Sequence, residues 1–74
     1  MDELMEILQD LHPEVDFASE QKLVDGKILD SFDIVSLIAE LNDAFDIVVP
    51  PEEIIPDNFN SAERIWAMVQ RLSE

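Results

Sequence analysis

The chain has 74 residues, enough for one domain, and a domain this small buries only about 60% of the surface it exposes when unfolded. It has no cysteine, no tyrosine, one histidine and one glycine, which excludes disulfides, thiolate metal sites and a glycine-rich phosphate loop. Eighteen acidic residues against four basic ones give a formal net charge of −14, which repels nucleic-acid phosphates and anionic lipid and attracts basic protein surfaces.

Leu4, Ile7, Leu8 and Leu11 fall at i, i+3, i+4 and i+7, the buried stripe of a first helix. Asp2, Glu3 and Glu6 occupy its early turns, where carboxylates suit the positive helix end. His12-Pro13 ends it, because the residue before a proline disfavours the α region. His12 is expected to be a solvent-exposed residue at that end.

A long connection runs from Pro13 to Asp30, with Val15, Phe17, Leu23, Ile28 and Leu29 spread through it without a clean period. This predicts a loop packed onto the core, turned at Asp25-Gly26. A second helix begins at Asp30-Ser31. Asp30 suits the N-cap, and Asp33 stands three residues on, close to a capping box. Ile34, Leu37, Ile38, Leu41 and Phe45 form the apolar stripe of this helix.

Asp46 to Pro51 breaks the pattern, and Glu52-Glu53-Ile54-Ile55 is predicted as a single turn closed by Pro56. The last helix starts near Asn60-Ser61, a cap signal, and turns Ala62, Ile65, Trp66, Val69 and Leu72 inward. Met5 and Met68 read as core or surface filler rather than as a lining for cargo. There is no internal repeat and no second domain. The expectation is an all-α bundle of three to four helices over 1–74, with one long first loop. No apolar run approaches the roughly 20 residues of a membrane span, and Met1-Asp2-Glu3 lacks the basic start of a signal peptide. A cytoplasmic protein is expected.

Few residues here suit catalysis. An EF-hand needs a string of ligands before its glycine, and Asp25-Gly26 lacks them, so no dedicated metal site is expected. Asp30-Ser31 remains, and alone such a pair is an ordinary helix start. Its surroundings add to it. The segment Gly26-Lys27-Ile28-Leu29-Asp30-Ser31-Phe32-Asp33 resembles the motif of the acyl carrier protein family, in which Asp-Ser precedes a bulky apolar residue at a helix start. The likeness continues through Ile34 to Leu41, Phe45-Asp46-Ile47, Val49-Pro50 and Asn58-Phe59-Asn60-Ser61 to Ile65, nearly the whole chain.

That resemblance implies an acyl-carrier-like bundle in which Ser31 is esterified by 4′-phosphopantetheine from coenzyme A. The attachment is made by a separate, magnesium-dependent transferase that Asp30 supports. The arm's thiol then carries an acyl or aminoacyl cargo as a thioester between enzymes with basic surfaces. A helix N-terminus favours such a phosphodiester. The resemblance also makes Phe32, Asp33, Ser36, Glu40 and Asp43 the partner-facing side of the second helix, with Asp33, Glu40 and Asp43 sharing one outward face. Phe32 stands where leucine or methionine is commoner in the family, and Ser36 where many members have glutamate. Ile28-Leu29-Asp30-Ser31 and Val48-Val49-Pro50 look more like stand-alone carriers of D-alanyl or specialised biosynthetic systems, making lipids or secondary metabolites, than like the housekeeping fatty-acid carrier. A monomer that is not itself an enzyme fits such a shuttle. The competing reading is an acidic helical adaptor, or an unmodified carrier-like protein, that binds a basic partner without cofactor. A small enzyme using paired carboxylates would need a water-excluding pocket, for which a bundle of this size has little room.

Overall fold

The computed structural model describes residues 2–73; Met1, the first residue of the non-basic Met1-Asp2-Glu3 stretch, lies outside them. Four α-helices follow one another: α1 (Asp2–Leu11), α2 (Ser31–Phe45), α3 (Pro56–Phe59) and α4 (Ala62–Leu72). A single 3-10 turn, Pro51–Glu53, lies between α2 and α3. Helix α1 packs on α2 and on α4, and α3 packs on α4. This is the all-helical, acyl-carrier-like bundle that the periodicity and the resemblance predict.

The apolar stripes meet in one core. Leu4 and Leu8 enter it from α1, Leu37 and Leu41 from α2, and Ile65, Met68 and Val69 from α4. Each such aliphatic side chain, taken fully out of water, contributes about 1.5–3 kcal/mol. Trp66 and Leu72, predicted as inner-face residues, are half-buried at the rim, and Met68 takes the deep position instead. Trp66 meets Phe45 edge-on, with ring centroids 5.7 Å apart.

The first loop contributes Phe17, Leu23 and Leu29 to the core, each at most 2% exposed, and this explains apolar residues with no helical period. The turn predicted at Asp25-Gly26 is present, with Gly26 N–H donating to the Lys22 carbonyl at 2.7 Å. Its left-handed residue is Lys27, with φ 61°, rather than the glycine. Gly26 is needed there for close approach, because a Cβ at that position would lie 2.6 Å from the Lys22 carbonyl oxygen.

Two asparagines hold the connections. Asn60 is buried. Its Oδ1 accepts from the N–H groups of both Val24 and Asp25 at 3.0 Å, and its Nδ2 donates to Asp25 Oδ2 at 3.2 Å. Asn42 Oδ1 accepts from Val49 N–H at 3.2 Å as the chain leaves α2 through the left-handed Asp46. Pro56 opens α3 instead of closing the preceding turn. Proline at a first helical position costs nothing, since its missing N–H would have had no partner. Ser61 caps α4 by accepting from Arg64 N–H at 3.2 Å, as the sequence predicts.

Candidate functional site

Helix α2 starts with a complete capping box. Asp30, in extended backbone, accepts Asp33 N–H on its Oδ1 at 2.9 Å, and Asp33 Oδ2 accepts Asp30 N–H at 3.3 Å. Ile34 N–H makes the first intrahelical bond, to the Asp30 carbonyl. The N–H groups of Ser31 and Phe32 therefore have no acceptor inside the helix and lie at its positive end. Ser31 is exposed as the first helical residue, and the capping is done by its neighbours.

Phe32 is 84% exposed and Val35 66% exposed. Together with Ser31 they line an open, apolar depression of about 370 Å³. Exposed aromatic and branched residues on a polar helix face lie off the buried stripe and are available to something other than the core. Val35 is missing from the sequence-based candidates, although its place three residues after Phe32 and outside the stripe of Ile34, Leu37, Ile38 and Leu41 is a legible signal.

Asp33 departs from expectation. Rather than standing free beside Glu40 and Asp43, its side chain is 22% exposed and tied to His12. His12 Nε2 lies 2.8 Å from Asp33 Oδ2, and His12 Nδ1 lies 2.9 Å from Glu14 Oε1. The histidine is thus not the free terminal residue predicted from its place before Pro13; its side chain is 23% exposed. The hydrogen bond to Asp33, and then that to Glu14, raise its pKa above the ordinary value of 6.5. The bond from His12 holds the Asp33 carboxyl below its ordinary value of 3.8.

These directions define a pH window. Asp33 adds stability above its unfolded pKa and loses that contribution as pH falls through its lowered folded value. His12 adds stability that is complete below pH 6.5 and lost as pH rises through its raised folded value. The difference in unfolding free energy between the wild-type protein and His12→Ala is therefore expected to plateau in mildly acidic solution. It should be on the order of 1 kcal/mol there and vanish at both extremes, as read by urea titrations at stepped pH. A difference independent of pH would contradict the assignment.

The other predicted contact residues lie further along α2. Ser36, Glu40 and Asp43 are exposed. Ser36 and Glu40 also border a groove of about 200 Å³ between α1 and α2, floored by Ile7 and Leu11 and faced by Asp10. Asp43 stands apart, one turn beyond Glu40. Among the described residues no three of His, Cys, Asp or Glu gather closely enough to hold a metal ion, and no helix is long and apolar enough to cross a membrane.

No family model matches the chain, and no solved structure matches it. Among curated proteins it is 41% identical over 71 residues to the D-alanyl carrier protein of Streptococcus sanguinis (strain SK36), an alignment that covers 95% of this chain and 90% of that protein. The D-alanyl carrier protein of Streptococcus gordonii gives the same identity and coverage, 41% over 71 residues. That of Lactococcus lactis subsp. cremoris (strain MG1363) is 42% identical over 52 residues, 70% of this chain and 66% of that protein. With likeness at this level running through the capped start of α2 and almost from end to end, the chain belongs to the D-alanyl carrier protein family, a family of the acyl-carrier type.

Proposed function

We propose that this chain is a carrier whose Ser31 holds a 4′-phosphopantetheine arm, with D-alanyl, the group in its relatives' names, as the cargo. The supporting observation is the exposed hydroxyl at the first position of α2, where free N–H groups and the helix dipole favour a phosphodiester. Because Asp30 and Asp33 supply the cap, Ser31 is free to be modified without loss of the helix start. The apolar depression at Phe32 and Val35 suits an arm lying along the helix.

In the attachment step the Ser31 oxygen forms a bond to the pantetheine-side phosphorus of coenzyme A. The bond from that phosphorus to the oxygen bridging the two phosphates breaks, and adenosine 3′,5′-bisphosphate leaves. The hydroxyl proton passes to a base on the transferase. Asp30, the N-cap residue next to Ser31, would help to hold the magnesium ion that this enzyme needs. When bound, the arm supplies a thiol that carries the cargo as a thioester. The chain has no cysteine to compete for it.

Phe32, Ser36, Glu40 and Asp43 form the proposed contact face for the transferase and for the loading and accepting enzymes. Basic surfaces on those partners would be steered to it, giving fast encounter and weak complexes. In this reading the chain is one carrier domain over 1–74, cytoplasmic, monomeric and without catalytic residues of its own.

The test is mass spectrometry of the protein after incubation with coenzyme A, magnesium and a broad-specificity phosphopantetheinyl transferase. One phosphopantetheine per chain is expected, followed by one D-alanyl group when a D-alanine-adenylating ligase and ATP are added. A protein that gains no mass while other carriers do would favour the adaptor reading.

A further inference from the structure

We propose that His12 is a positioning residue for Ser31: bridging Asp33 and Glu14, its imidazolium pins the start of α2 to the end of α1. The inference deepens the reading of Ser31 as the attachment site and rests on it.

Both ring nitrogens of His12 face carboxylate oxygens, at 2.8 and 2.9 Å. A neutral imidazole has one N–H, and an ionised carboxylate only accepts, so both bonds form together only with the ring protonated. The charges also suit the helices. His12 N–H bonds to the Leu8 carbonyl, which places the residue directly at the C-terminal end of α1, where a cation is favoured. Asp33 sits in the first turn of α2, where an anion is favoured.

Ser31 and Phe32 lie between the two members of the capping box. Asp33 Oδ2 receives both the imidazolium and Asp30 N–H, so the bridge and the box share an oxygen. Holding that oxygen holds the turn that carries the serine. Without it, α1 and α2 remain joined through the core, but the start of α2 loses this polar tie to the end of α1. A phosphodiester on Ser31 also adds negative charge between two carboxylates, and the imidazolium offsets one of them. Among the described residues Glu14 and Asp33 are the carboxylates within ion-pair distance of the ring, with Asp30 behind Asp33; α4, which also packs on α1, brings none that close.

A turn ordered before the transferase arrives raises the binding-competent fraction of the carrier, and this acts on KM. The experiment measures steady-state arm transfer from coenzyme A to the wild-type protein, His12→Ala and His12→Gln, below their melting temperatures. His12→Ala is expected to raise KM for the carrier about five-fold with kcat unchanged, the factor expected of a lost cap. His12→Gln should recover part of this, since its amide still donates to Asp33 without the charge. The wild-type advantage over His12→Ala should shrink toward nothing as pH rises and the imidazolium loses its proton. In the transferase's absence, the Asp33 and Ile34 amides should exchange faster in His12→Ala than in the wild-type protein.

An unchanged KM in folded His12→Ala overturns the proposal. So does a lowered KM, which would make His12 a competitor for Asp33 rather than its anchor. If the wild-type protein takes no arm at all, the reading of Ser31 fails by itself. Amide exchange then decides the bridge alone, and equal rates at Asp33 and Ile34 overturn it.

Discussion

Ser31→Ala is expected to abolish the mass increase completely while leaving the protein as stable as before. The two halves of this result come from different parts of the helix start. The chemical half follows from the hydroxyl, because alanine has no oxygen to form the phosphodiester. The structural half follows from the cap. A serine at an N-cap costs about 0.5–2 kcal/mol when replaced by alanine, and Ser31 would carry that penalty if it were the cap. Here Asp30 is the cap and Asp33 completes the box, while Ser31 is exposed at the first helical position. Alanine is the better helix former there, so unfolding free energies from denaturant titration should differ from wild type by no more than about 0.5 kcal/mol. Asp30→Ala is the contrasting variant, expected to lose about 1 kcal/mol through the cap. A Ser31→Ala protein that is clearly destabilised would show that the serine shapes the helix start. A Ser31→Ala protein that still gains the full mass would place the arm elsewhere.

The helices were legible because their signals are local. The stripes of α1 and α2 need only a count of threes and fours, and the Asp30-to-Asp33 box is a spacing of three. On the last helix the core-filling option for Met68 holds, at 1% exposed, while Trp66, which the periodicity turns inward, packs beside the core rather than in it. A flexible thioether fills a deep gap that an indole, with its N–H to satisfy, enters less readily. Pro56 was expected to close a turn and instead opens one, because proline suits either role and the sequence around it does not decide between them.

The site was legible in part. Phe32 enters through the family resemblance, whereas Val35, exposed beside it, carries only the signal of standing off the apolar stripe. His12 carries no such signal. Its partner Asp33 is 21 residues away, and nothing in the spacing of a histidine before a proline reveals which carboxylate the fold will bring to its ring. The expected outward row holds at Glu40 and Asp43 and breaks at Asp33 for that reason. Helical periodicity gave Asp33 the right face, but a long-range ion pair turned its carboxylate toward α1.

Asn60→Ala is expected to cost about 2–4 kcal/mol, because Asn60 is one of two buried polar residues among the described residues. The Asn60 amide accepts two backbone N–H groups, of Val24 and Asp25, and donates to the Asp25 carboxylate. Its own carbonyl accepts Leu23 N–H at 2.9 Å, so four bonds tie one buried residue before α4 to the turn before Ser31. Alanine keeps the backbone bond and removes the other three. Two part-buried N–H groups then lack acceptors, each at roughly 1–3 kcal/mol less whatever water recovers. A domain of this size has a total stability of only about 4–11 kcal/mol, so the variant should melt far earlier. The effect should reach α2, because the turn that Asn60 clamps delivers Leu29 to the core and Asp30 to its cap. Asn60→Asp separates the parts. It retains the two acceptor bonds but sets a carboxylate against Asp25 in a chain already at −14. It should therefore be less damaging in acid, where one of the pair is protonated, than at neutral pH. Urea titrations of both variants at two pH values check this. An Asn60→Ala loss below about 0.5 kcal/mol, the range of ordinary surface substitutions, would mean that the clamp is solvated rather than structural.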